Sequence, residues 1–178
     1  NKVVLFILGL GSIALSTAIF PYFSKMVAQE DWKNIRHTLK IYVGLILMGT
    51  IPLTLLLVYF SEPIVRVVFE RGAFTKLDTH VVAKVQSLYF LQIPFYIVGI
   101  LGVRLLSALS KNQVLMVIGG INLLLNIAGN YFFMQYWGVA GISLSTSMVY
   151  LISMILIYIV LDRKLKERKS LSEERLEH

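Results

Sequence analysis

With 57% hydrophobic residues, 15% charged and a mean hydropathy of +0.74, this chain of 178 residues lacks the surface of a soluble domain, where about a quarter of residues are charged. The absence of cysteine excludes a disulfide framework and thiolate metal sites. A net charge of +7 does not argue for nucleic acid, because the basic excess sits in short loops and a tail beside apolar stretches, where Lys and Arg are topology signals.

About 20 apolar residues are needed to cross a hydrocarbon core about 30 Å thick. Five stretches meet that length: residues 3–23, 41–60, 85–107, 114–134 and 139–161. All are expected to be helices, since backbone polar groups in lipid must be satisfied internally. The fold class is therefore an all-α integral membrane protein.

The first span, residues 3–23, has no signal-peptide cleavage pattern and carries small and hydroxylated residues at Gly9, Gly11, Ser12, Ser16 and Thr17. Such residues permit close helix packing or line a polar path. Glu30-Asp31 then offers an N-cap for an amphipathic lead-in, from Trp32 to Lys40, that runs into the second span. Pro52 there, and Pro94 in the third span, predict kinks.

Residues 64–69, introduced by Pro63, are too short to cross and suit a helix lying at the interface. Arg71-Gly72-Ala73-Phe74 turns the chain, and Thr75-Lys76-Leu77-Asp78 matches a capping box that starts the next helix near Lys76. Glu70, Arg71 and Asp78 lie close together in sequence, but capping and turning account for this loop more economically than substrate binding.

In the fourth span Asn122, Asn126 and Asn130 share one helix face. Buried amides in hydrocarbon must be bonded, so glue between helices is one reading and a cation site another. The last span repeats the small-residue pattern at Gly141, Ser143, Ser145, Thr146 and Ser147. Lys84 and Arg104, near span ends, are expected to reach for the headgroup interface. Residues 162–175 form a charged tail, read as a solvated helix or as in contact with anionic lipid.

Twelve of the 17 Lys and Arg residues fall on the side shared by Lys25, Lys33, Arg36, Lys40, Arg104, Lys111 and the tail. That side is expected to be cytoplasmic. The chain begins at Asn1 without Met, on the external side, so helices are expected to precede it. Residues 176–178, Leu-Glu-His, match a cloning scar with the first residue of a tag. The spans hold no acid–base pair or activated nucleophile, and His37 and His80 lie outside them. An enzymatic role is not expected.

Phe69-Glu70-Arg71-Gly72-Ala73-Phe74-Thr75 with Asp78-Thr79 resembles the loop of MurJ/MviN-type lipid II flippases, part of the multidrug/oligosaccharidyl-lipid/polysaccharide exporter superfamily. Gly9 through Ala14-Leu15-Ser16-Thr17 to Pro21 and Ser24-Lys25, the Asn126/Asn130 pair, and Gly138 to Thr146-Ser147 are similar to other segments of that family, in the same order. The resemblance implies five helices of one six-helix lobe in a two-lobe flippase of the bacterial cytoplasmic membrane. Its expected role is to move a lipid-linked cell-wall precursor by alternating access during peptidoglycan synthesis. The implied partners are that lipid-linked oligosaccharide, membrane lipids and an N-terminal lobe, with no nucleic acid.

The resemblance also implies site residues. Lys2, Ser12 and Ser16 correspond to positions facing a cationic substrate cavity. Asn126, Asn130, the carbonyl near Ile142 and the Thr146 hydroxyl correspond to a sodium site; no other cofactor is implied. Arg71, Gly72, Phe74, Thr75 and Asp78 form the structural loop. Three family features differ: Asn1-Lys2 replaces an Asp-Arg pair, Lys111-Asn112-Gln113-Val114 replaces a D-x-x-T-P segment, and two further C-terminal helices have no counterpart. A polysaccharide-repeat or multidrug exporter, or a scaffold lobe without transport, therefore stands as the alternative.

Overall fold

The computed structural model describes residues 2–69 and 75–176, and every element among them is an α-helix. In chain order they are α1 (Lys2–Ala28), α2 (Trp32–Tyr59), α3 (Ser61–Phe69), α4 (Lys76–Phe90), α5 (Gln92–Ala108), α6 (Asn112–Trp137) and α7 (Val139–Leu176). Five segments are long and apolar enough to cross a bilayer, with α4 and α5 together making the third. The all-α membrane architecture expected from composition is thus the one observed.

Local chemistry explains where the helices start and stop. Asp31 accepts the Asn34 amide and caps α2, so the lead-in and the second span are one helix, as the sequence implied. Thr75 and Asp78 form the expected capping box at α4: the Asp78 amide donates to Thr75 Oγ1 at 3.4 Å and the Thr75 amide to Asp78 Oδ2 at 2.9 Å. The turn from α6 to α7 needs a positive φ, +57°, and supplies it with Gly138.

Of the two prolines expected to kink their spans, only Pro94 divides its helix. Its missing N–H and its ring act on the carbonyl four residues earlier, at Phe90, and the regular helix is interrupted at Leu91. The hydroxyl of Ser147 on α7 donates to the Leu88 carbonyl at 2.7 Å, supporting the backbone beside the break. α2 continues unbroken through Pro52.

The centre of the bundle is α5, whose Ile93, Ile97, Leu101, Leu105 and Leu106 are buried against α1, α2 and α7. α6 lies at the edge and packs mainly on α7. One apolar cluster joins Phe23, Ile35, Leu105, Leu109 and Leu165 at the end where α1 stops and α2 starts; another joins Val4, Leu8, Phe90 and Ile93 toward the opposite end.

The tail is helical, as expected, and residues 162–175 continue α7 as a single helix of 38 residues. No Gly or Pro interrupts it after Gly141, and Leu165 is buried in the same cluster as Trp32 and Ile35. The first turns of the tail are therefore docked on the α2 lead-in, not solvated all round.

Candidate functional site

The polar groups of the bundle fall into two constellations. The first joins α1 to α5. Arg104 Nε donates to Ser16 Oγ at 2.9 Å, and Ser16 Oγ donates to the Ser12 carbonyl at 2.6 Å. Ser16 lies seven residues before Phe23, so at 1.5 Å per residue this contact sits about 10 Å inside the end of the first span.

Arg104 therefore does not take the route to the interface that its position near a span end suggested. It is half-buried, turned onto α1, and no carboxylate pairs with it among the described residues. A guanidinium keeps its charge even where dielectric is low. Ser16 holds the guanidinium at Nε without neutralising it, which leaves its remaining N–H groups available to an anion.

The second constellation lies on α6 and α7. Asn130 Nδ2 donates to Asn126 Oδ1 at 2.9 Å, while Thr146 Oγ1 donates to the Ile142 carbonyl at 2.9 Å. The residues expected to surround a sodium ion thus form two hydrogen-bonded pairs on neighbouring helices. Asn130 Oδ1 is buried without a partner, an acceptor that would suit a cation or a water. Asn122 instead bonds across to Ser153 Oγ at 2.8 Å, the role of glue between helices.

Thr146 also lines a cleft of about 200 Å³ with Val4, Leu8, Tyr89, Gln92 and Tyr150. This cleft opens beside the start of α1, the helix that Lys2 begins. Gln92 is 4% exposed and was not singled out in the sequence. Gln86, buried with both amide atoms unpartnered, was missed as well. A glutamine inside a carboxylate-free apolar span was the available signal.

Two glycines of α6 and α7, Gly129 and Gly141, are places of close packing. Ser145 Oγ fills the space where a Cβ on Gly129 would stand, and a Cβ on Gly141 would collide with the Phe133 backbone. Such close approach is what membrane helices use small residues for.

The sequence model of the family described as Lipid II flippase MurJ matches residues 1–174. The chain belongs to this family. It is 32% identical over 165 residues to a probable lipid II flippase MurJ of Synechocystis sp., covering 93% of this chain and 31% of that protein. Against the lipid II flippase MurJ of Thermosipho africanus it is 30% identical over 147 residues, covering 83% and 30%. A solved lipid II flippase MurJ in an inward closed conformation superposes with a TM-score of 0.76 at 29% identity, covering 89% of this chain and 33% of that one. The chain therefore spans about a third of the length of the MurJ relatives it matches.

Of the MurJ-like loop, Thr75 and Asp78 have the expected capping geometry, whereas Arg71, Gly72 and Phe74 lie outside the described residues. Trp32, Leu109 and Leu165 share one cluster at the basic end, and His80 and Lys84 line a pocket with Trp137 and Ala140 at the other.

Proposed function

We propose that this chain is most of one six-helix lobe of a flippase that carries lipid II, or a similar polyprenyl-pyrophosphate sugar, across the bacterial cytoplasmic membrane. Its role is transport and not catalysis. The observation that carries this reading is Arg104, held on Ser16 within the bundle and lacking a carboxylate partner among the described residues. A fixed cation in a low-dielectric setting attracts pyrophosphate, and Lys2, which starts α1, the helix that carries Ser16, adds a second positive charge. Alternating access follows if this lobe rocks against an N-terminal one, exposing the cations first to the cytoplasm and then outside. The tail end of α7 is cytoplasmic on this reading.

A sodium ion belongs to the same proposal. Asn126, Asn130, Thr146 and the Ile142 carbonyl offer neutral oxygen ligands, and the orphaned Asn130 Oδ1 fits the need for one more partner. When bound, the ion would supply charge that ties α6 to α7. With no carboxylate among these four groups, affinity from this chain alone is weak.

The test is translocation of fluorescent lipid II by a full-length transporter carrying this lobe, reconstituted in liposomes. Flipping that falls with Arg104→Gln at equal protein level supports the proposal. Efflux of lipophilic cations without movement of any polyprenyl-linked sugar would place the protein in the multidrug branch. Flipping indifferent to both Arg104→Gln and Lys2→Ala would leave only a scaffold role for these cations.

A further inference from the structure

On the face formed by α2 and α7 the bundle carries a groove unrelated to the Ser16–Arg104 contact. Its deeper part, about 570 Å³, is lined by Val43, Leu47, Met154, Ile155, Tyr158 and Ile159. Tyr158 keeps this floor apolar by donating its hydroxyl to the Val98 carbonyl of α5 at 3.1 Å. Toward the basic end the groove continues into a smaller cavity of about 250 Å³ beneath Arg36 and Lys40.

The charges of the groove are all at that end. A single carboxylate, Asp162, lines both cavities; Arg163 and Lys166 stand with it in the larger one and Arg36 and Lys40 in the smaller. Arg36 and Lys166 both pair with Asp162. Lys40 and Arg163 form no ion pair among the described residues, so the cluster keeps a positive excess.

Depth agrees with charge. From Asp162 back to Met154 is eight residues of helix, about 12 Å, and from Lys40 to Leu47 is seven, about 10 Å. A single leaflet contributes about 15 Å of hydrocarbon. The apolar walls therefore match one layer of acyl chains, and the cations stand at headgroup level.

We infer that this groove is a binding site for an anionic diacyl phospholipid of the same leaflet, with its phosphate between Lys40 and Arg163 and an acyl chain along Val43, Tyr158 and Ile159. The inference needs only that the chain is embedded in a membrane, so it stands or falls separately from lipid II transport. Bound there, the lipid bridges α2 and α7 beside the Arg36–Asp162 pair.

Native mass spectrometry tests it on the full chain, released from micelles containing dioleoyl phosphatidylglycerol or dioleoyl phosphatidylcholine. One phosphatidylglycerol per chain is expected to survive activation that strips phosphatidylcholine. Lys40→Gln combined with Arg163→Gln should lower phosphatidylglycerol retention roughly tenfold or more, because each basic residue near a surface contributes to anionic-lipid affinity. These two side chains make no ion pair in the fold, and unchanged helicity and melting confirm that the variant is intact. Val43→Trp, which fills the groove, should lower retention of both lipids.

Equal retention of the two lipids, or retention unaffected by the double substitution, would overturn the inference. So would displacement of phosphatidylglycerol by inorganic phosphate alone, which marks an ion site, or a dimer that carries no lipid, which marks the groove as an interface between copies.

Discussion

Arg36 and Asp162, 126 positions apart, form an ion pair, and Lys166 Nζ reaches the other oxygen of the same carboxylate at 2.6 Å. The pair fastens the extension of α7 to the lead-in of α2, where Leu165 enters the core cluster of Ile35 and Leu39.

The buried leucine, not the ion pair, is expected to dominate that docking. Both charged side chains are more than a third exposed, so Asp162→Asn should cost little. Leu165→Ala removes a side chain from a packed cluster and should cost about 2–4 kcal/mol. Thermal melting in detergent, with limited proteolysis of the α7 extension, measures both. A larger loss from Asp162→Asn would reverse the ranking.

Capping at α4 is structural. Thr75→Ala should destabilise by about 1 kcal/mol and Thr75→Ser should restore most of it, while Asp78→Ala should destabilise in the same direction. Neither change is expected to alter which lipid-linked sugar is flipped. A switch of substrate at unchanged melting temperature would contradict this account.

Gly141 and Gly9 make an internal comparison. A Cβ at Gly141 meets the Phe133 backbone, which cannot move aside without parting α6 from α7, whereas a Cβ at Gly9 meets nothing within 4 Å. Gly141→Ala should cost about 1–3 kcal/mol. Gly9→Ala should be neutral or slightly stabilising, since Ala is the better helix former. The two melting curves decide it.

Ser16 is expected to act through Arg104. Ser16→Ala leaves the guanidinium charged but without its hydroxyl acceptor, and should reduce flipping by roughly tenfold, the scale of a hydrogen bond to a charged group. Ser16→Thr should keep activity, because the hydroxyl is retained. Arg104→Gln should reduce flipping further than Ser16→Ala. Initial rates in proteoliposomes at matched protein density provide the ranking, and equal rates for all three variants would remove this contact from the transport path.

Topology is checked by cysteine labelling, which the absence of native cysteine makes clean. In intact cells a cysteine at Lys76 should react with a membrane-impermeant thiol reagent, and one at Lys164 should not. Labelling only at Lys164 would invert the orientation proposed for the lobe.

Local signals carried the sequence a long way. Five spans, the Asp31 cap and the Thr75–Asp78 box are properties of short stretches, set by hydrocarbon thickness and by backbone donors without partners, whereas a proline's missing N–H broke the helix before Pro94 and not at Pro52. Family membership was readable for a related reason, since the order of the motifs along the chain survives without knowing how the helices pack.

Rotation of each helix about its axis was not readable. In lipid the face against a neighbour and the face against acyl chains are both apolar, so a sequence gives little sign of which side is inward. Arg104 on Ser16 depends on that rotation, and beyond the span Leu165 in the core and Asp162 between Arg36 and Lys166 depend on α7 continuing as one helix against α2. Composition determined that these helices cross a membrane; only their packing against α5 and α7 decided which polar groups meet.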